Sequence, residues 1–152
     1  MGSYYQASLE IGGTVSKRRL ASLWALLKGT GISQDWSDEF ESLEHLRRFA
    51  DDRDNTLMLT CNEASLETYE KVKDWCIRGG NSYYLREDAV AEGGENVEWW
   101  APGMKEPKTC WGHEGRAVVL VEDLQKCKKM RDFVDLVKKY SPPEMEPFLV
   151  DE

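Results

Sequence analysis

LEIGGTVSKRRL, residues 9–20, reads as the end of a strand, a glycine turn and the start of a helix. Upstream, alternation through SYYQASLEI puts Tyr5, Ala7, Leu9 and Ile11 on one face and Tyr4, Gln6, Ser8 and Glu10 on the other. That is the pattern of a half-buried strand. Downstream, Leu20, Leu23, Trp24 and Leu27 recur at helical spacing between Ser16 and Lys28, and Gly29 follows as a stop. The junction breaks a local rule, because Lys17, Arg18 and Arg19 occupy the first helical turn. A cation there opposes the helix dipole by roughly 0.3 to 1 kcal/mol. The turn also offers free backbone N–H groups beside two hydroxyls, the ingredients of an anion site. Gly12, Gly13, Thr14, Ser16, Lys17, Arg18 and Arg19 are therefore candidate anion-binding residues. The simpler reading is that Ser16 caps the helix and the cations pair with acids elsewhere, the segment from Asp35 to Glu44 being the obvious supply.

The same reasoning carries along the chain. WSDEFESLEHLRRFADD reads as a second helix, capped by Ser37, with Leu43, Leu46 and Ala50 facing inward. TLMLTC is the next strand, and Ser65 to Arg78 the next helix, closed by Gly79-Gly80. NSYYLRE and ENVEWWA read as two strands separated by the turn-rich AEGG. RAVVLVE is almost continuously apolar and reads as a central strand buried on both faces. A last helix spans about Asp123 to Tyr140, with Leu124, Cys127, Met130, Val134 and Val137 on one stripe, and Ser141-Pro142-Pro143 ends it.

This mixed order predicts an α+β fold: a single mostly antiparallel sheet of about five strands, with helices packed mainly on one face. In element order the second βα unit fits a ferredoxin-like sheet, while the first lacks its second strand where residues 33–55 read helical. Residues 1–143 form one domain in this reading, and 144–152 an acidic, frayed tail.

The totals narrow the function. The chain has 152 residues, 41% hydrophobic and 32% charged, which suits one globular domain and not a disordered chain. No apolar run approaches the ~20 residues of a membrane helix, and MGSYYQASLEI has neither the basic start nor the apolar middle of a secretory signal. Four irregularly spaced cysteines (Cys61, Cys76, Cys110 and Cys127) point to reduced thiols and a cytoplasmic setting. The formal net charge of -8 argues against a general nucleic-acid coat, since phosphate neutralisation supplies most of that affinity. Residues 33–55 carry eight acids against three bases, and the last twelve residues add four acids and no base.

No G-x-S-x-G, P-loop or dinucleotide fingerprint is present, no cofactor is implied and no catalytic residue can be nominated. Cys110 and His113 are three apart in what reads as a polar loop, a weak metal candidate without its second ligand pair. DDRDN, residues 51–55, misses the calcium-loop pattern at Thr56 and Leu57. Trp99, Trp100 and Trp111 form a candidate aromatic surface, because neighbours in a strand face opposite ways and one indole then lies on the uncovered side.

The function expected from these features is that of a non-enzymatic regulatory protein binding another protein. Asp35, Asp38, Glu39 and Glu41 would meet a basic partner surface, in one version as a mimic of nucleic-acid phosphates. The alternative is a small-anion, nucleotide or nucleic-acid phosphate binder, or an enzyme acting on such a ligand, built on the Gly12-Gly13 turn and the Lys17–Arg19 helix start.

Overall fold

The alternation in ASLEI is realised as strand β1 (Ala7–Ile11), in which Ala7, Leu9 and Ile11 are buried and Ser8 and Glu10 are partly exposed. The computed structural model describes residues 6–34, 39–51, 56–61, 66–89, 94–113 and 116–151. After β1 come β2 (Gly13–Ser16), α1 (Lys17–Leu27), β3 (Ser33–Gln34), α2 (Leu43–Asp51) and β4 (Leu57–Cys61). Then follow α3 (Leu66–Gly79), β5 (Tyr83–Ala89), β6 (Gly94–Trp100), β7 (Lys108–His113) and β8 (Arg116–Ala117). α4 (Val121–Gln125), α5 (Met130–Tyr140) and β9 (Phe148–Asp151) complete the described chain. Among the described residues no helix is long and apolar enough to cross a membrane.

The fold is α+β. One sheet runs in the order β3-β4-β1-β5-β6-β7-β8 with every neighbouring pair antiparallel. The register sets Leu9 between Leu59 and Leu85, and Ile11 between Leu57 and Tyr83, so their side chains share one face. Leu20, Leu23 and Leu27 of α1, Leu46 and Ala50 of α2, and Tyr69, Val72 and Cys76 of α3 join them in one buried cluster. Each such aliphatic side chain contributes about 1.5 to 3 kcal/mol by leaving water. The opposite face, carrying Glu10, Tyr84, Val97 and Trp99, is approached by α5 and the segment that follows it.

Several sequence expectations are corrected. The turn after Gly12 is itself a strand: β2 pairs in parallel with β9, Gly13 opposite Phe148 and Val15 opposite Val150. Four residues of the segment read as a frayed tail are thus paired, and the Phe148 side chain is buried. Gly12 makes this possible, because a Cβ there would run into the Glu146 carbonyl oxygen, and Gly13 adopts φ +93°.

The helix expected from residue 36 begins at Leu43. Glu39 forms a bridge to Ser33, Phe40 is buried, and the Ser42 hydroxyl accepts the His45 amide at 3.1 Å as the cap. The expected cap, Ser37, lies outside the described residues.

RAVVLVE is not a central strand. Only Arg116 and Ala117 pair, at the sheet edge against β7, and Val118, Leu120 and Val121 are 42%, 55% and 66% exposed. An apolar run marks a surface that is favoured to leave water, and nothing in the run specifies that its own fold must cover it.

The last helix is two. The Asp132 carboxylate accepts the amides of Lys128 and Lys129 at 2.9 and 3.1 Å, so a new helix is capped at Met130.

Replacing Phe148 by Ala is expected to lower unfolding free energy in urea by about 3 to 5 kcal/mol. A frayed tail would leave the midpoint unchanged.

Candidate functional site

The three cations at the start of α1 do not act together. Ser16 Oγ caps the helix by accepting the Arg19 amide at 3.2 Å. Arg19 then reaches across to the end of α3, donating from Nη2 to the Trp75 carbonyl at 2.8 Å and from Nη1 to Asn81 Oδ1 and the Gly79 carbonyl. Its guanidinium lies 4.0 Å from the Trp75 ring centroid. A cation misplaced for its own helix is therefore well placed at the negative end of another. Lys17 and Arg18 remain exposed.

The amides an anion would need are already used. Gly12 donates to Ser82 O at 3.0 Å, and Gly13 donates to Glu146 O at 3.3 Å and Pro147 O at 3.1 Å. Thr14 is exposed on β2. Gly12, Gly13, Ser16 and Arg19 thus build a junction between segments, while Lys17 and Arg18 keep their side-chain donors exposed.

Of the acidic candidates, Glu39 and Glu41 are exposed, and Asp35 and Asp38 lie outside the described residues. The aromatic surface is reduced to one member. Trp99 and Trp100 do face opposite ways, but both faces are covered and the indoles are 3% and 7% exposed. Only Trp111, at 46%, meets solvent. Cys110 and His113 sit along strand β7, not on a loop. Burial pushes the Cys110 thiol up, against the thiolate a metal needs, and the His113 side chain lies outside the described ones. Among the described residues no group of three or more His, Cys, Asp or Glu is placed to hold a metal ion.

Three features escaped the sequence reading. The first is a polar cluster between α3 and β6. Lys73 Nζ lies 2.9 Å from Glu98 Oε2 and 2.5 Å from Glu70 Oε1, and the Tyr83 hydroxyl donates to Glu98 at 2.7 Å. Burial works against the Lys73 ammonium, but its bonds to Glu70 and Glu98 outweigh that and raise its pKa. Burial, and then donation to Glu98, push the Tyr83 phenol up. Both groups are held protonated, and the cluster ties α3 to β5 and β6.

The second is a cleft of about 350 Å³ on the face opposite α1–α3, with Glu10, Tyr84 and Trp99 on its sheet side and Pro142, Pro143 and Met145 across from them. The Tyr84 and Trp99 rings lie 6.4 Å apart with 25° between their planes. The third is the surface of α4 and α5, neither of which buries a residue. Only the register of β1, β5 and β6 brings Glu10, Tyr84 and Trp99 side by side. The available signal was the alternation that puts Glu10 on the face away from Leu9.

Arg19→Ala is expected to destabilise the fold by about 1 to 3 kcal/mol, since it strips hydrogen bonds and leaves the buried Asn81 Oδ1 without the Arg19 donor. Lys17→Ser and Arg18→Ser should each stay within about 0.5 kcal/mol in the same denaturation series. Lys73 and Tyr83 have raised pKa values, so their contribution is whole below the ordinary values of 10.5 and 10.0 and is lost as pH rises past them. Unfolding free energy should therefore drop between about pH 9 and about pH 11, and Tyr83→Phe should reduce that drop.

Comparison of the chain with protein-family models, with curated proteins and with solved structures finds no match.

Proposed function

We propose that the protein works by binding another protein, as a regulatory module and not a catalyst, through the surface spanning residues 118–137. One observation carries this reading. Of the eleven large apolar side chains exposed among the described residues, eight lie between Val118 and Val137. Val118, Leu120, Val121 and Leu124 precede the helix break, and Met130, Phe133, Val134 and Val137 line one side of α5.

Apolar surface left in water forgoes about 25 cal/mol per Å², and monomeric proteins keep such patches small unless they bind something. Exposed Lys128, Arg131, Lys138 and Lys139 border the patch, so the matching partner surface is apolar with carboxylates around it.

The exposure of Glu39 and Glu41 supports a second reading, in which the acidic segment meets a basic partner and its carboxylates stand in for phosphates. Nucleic acid as a general ligand fits poorly with a net charge of -8.

Met130 and Val137 are 77% and 61% exposed, so Met130→Glu and Val137→Glu should leave folding intact. In affinity capture from a lysate of the native host, these variants are expected to lose a defined protein that the unaltered chain retains. A partner retained by them, but released by Glu39→Gln with Glu41→Gln and by raised salt, would replace the first reading with the second. A partner indifferent to both sets removes both readings.

A further inference from the structure

The cleft on the half-covered sheet face adjoins the α4–α5 surface, since Tyr84, Trp99 and Pro142 also border a hollow lined by Val119, Val137 and Tyr140, but it has its own chemistry. Its floor is the half-buried Tyr84 ring, backed by the buried Trp99 indole, with 25° between their planes. Antiparallel register sets Glu10 of β1 beside Tyr84 of β5, which places a carboxylate at the edge of that floor. Glu10 Oε2 accepts one hydrogen bond, from the Thr56 hydroxyl at 3.3 Å, and among the described residues no cation pairs with it. Across from the sheet runs the strap between α5 and β9, which contributes Pro142, Pro143 and Met145. Among the described residues no lysine, arginine or histidine lines the space.

These properties sort ligands by chemistry. An anion would face Glu10 with no opposing cation among the described lining residues. A hard metal ion takes about six to eight oxygen ligands, and the described lining residues offer one carboxylate with a few hydroxyls. A neutral apolar group would fill the volume but bury Glu10 without a counter-charge, at a desolvation cost. A cation clothed in alkyl groups meets every demand. It is weakly hydrated, it is attracted to ring faces, it neutralises the carboxylate, and its methyl groups pack against proline and the methionine thioether.

We propose that the Glu10–Tyr84–Trp99 cleft is a binding site for one alkylated ammonium group, a quaternary or N-methylated amine. At about 350 Å³ the cleft is at the small end of ligand sites, which suits a compact head group. The group can come from a free small molecule or from a methylated lysine side chain. The chemistry of recognition is the same for both.

The test uses the intact chain and the fluorescence of its tryptophans, with isothermal titration as a second readout. Choline is compared with 3,3-dimethylbutan-1-ol, its neutral isostere, and with peptides carrying trimethyllysine or unmodified lysine. Choline is expected to bind saturably, at least roughly tenfold more tightly than the isostere, and Glu10→Gln should weaken choline by a similar factor. Tighter binding of the trimethyllysine peptide than of choline assigns the group to a polypeptide, and the reverse order assigns it to a free metabolite. The proposal is overturned if nothing titrates saturably, if the isostere equals choline, or if Glu10→Gln binds choline unchanged. Should Glu10→Gln fail to fold, the comparison of choline with its isostere on the unaltered chain decides alone. None of these outcomes depends on whether α4 and α5 dock a protein.

Discussion

At Gly12 and Gly13 three stretches of chain far apart in sequence come within hydrogen-bonding distance. The Gly12 amide donates to Ser82, its carbonyl accepts from the Asn81 side chain at 3.0 Å, and the Gly13 amide turns to Glu146 and Pro147. Asn81 is fully enclosed; its other side-chain atom accepts from Arg19, and its amide donates to Cys76 O at 2.9 Å. The start of α1, the end of α3 and the approach to β9 are therefore held by one knot of satisfied polar groups. It tolerates no side chain at residue 12, because the Glu146 backbone already fills that space. A buried network of this kind specifies one arrangement, since any member left unpaired in a low dielectric is costly.

The two faces of the sheet follow from this knot. With α1 and α3 locked together by Arg19, the helical layer closes over Leu9, Ile11, Leu57, Leu59 and Leu85, and a continuous core results. The other face receives only a partial cover. The strap from Tyr140 to β9 crosses Tyr84 and Trp99 on its way to pair with β2, and its prolines keep the chain extended there. α4 and α5 reach that face without burying any residue of their own. Elements with so little burial open at low free-energy cost, and binding surfaces are commonly drawn from such elements. The same sheet thus presents a sealed side that supplies stability and a half-covered side that keeps a cleft and an apolar surface available.

Much of the fold was legible in local pattern. Alternation in ASLEI, apolar spacing in α1 and α3, and the turn signals around β5 and β6 each depend on neighbours within a few residues, so they survive reading one segment at a time. The start of α2 was misread because the acidic run looked like a helix opening, while the Glu39–Ser33 bridge and the burial of Phe40 hold that stretch extended. Arg19 stands out in the sequence as a cation at a helix start, but its partners lie 56 to 62 residues away. Trp99 and Trp100 were assigned to opposite faces correctly, and only the strap and the 102–107 loop explain why neither is open to water. The Trp100 indole, for instance, donates to the Met104 carbonyl at 3.1 Å.

Composition and periodicity settled the class of fold and the positions of β1, β4, β5 and β6 and of the helices α1 and α3. Those properties arise from short-range propensity and from which side chains leave water. The pairing of β2 with β9, the role of Arg19, the exposure of residues 118–137 and the meeting of Glu10 with Tyr84 and Trp99 were decided by the assembled structure. Each depends on register or on contact between distant segments, and a one-dimensional pattern states that a residue will be covered without stating by what.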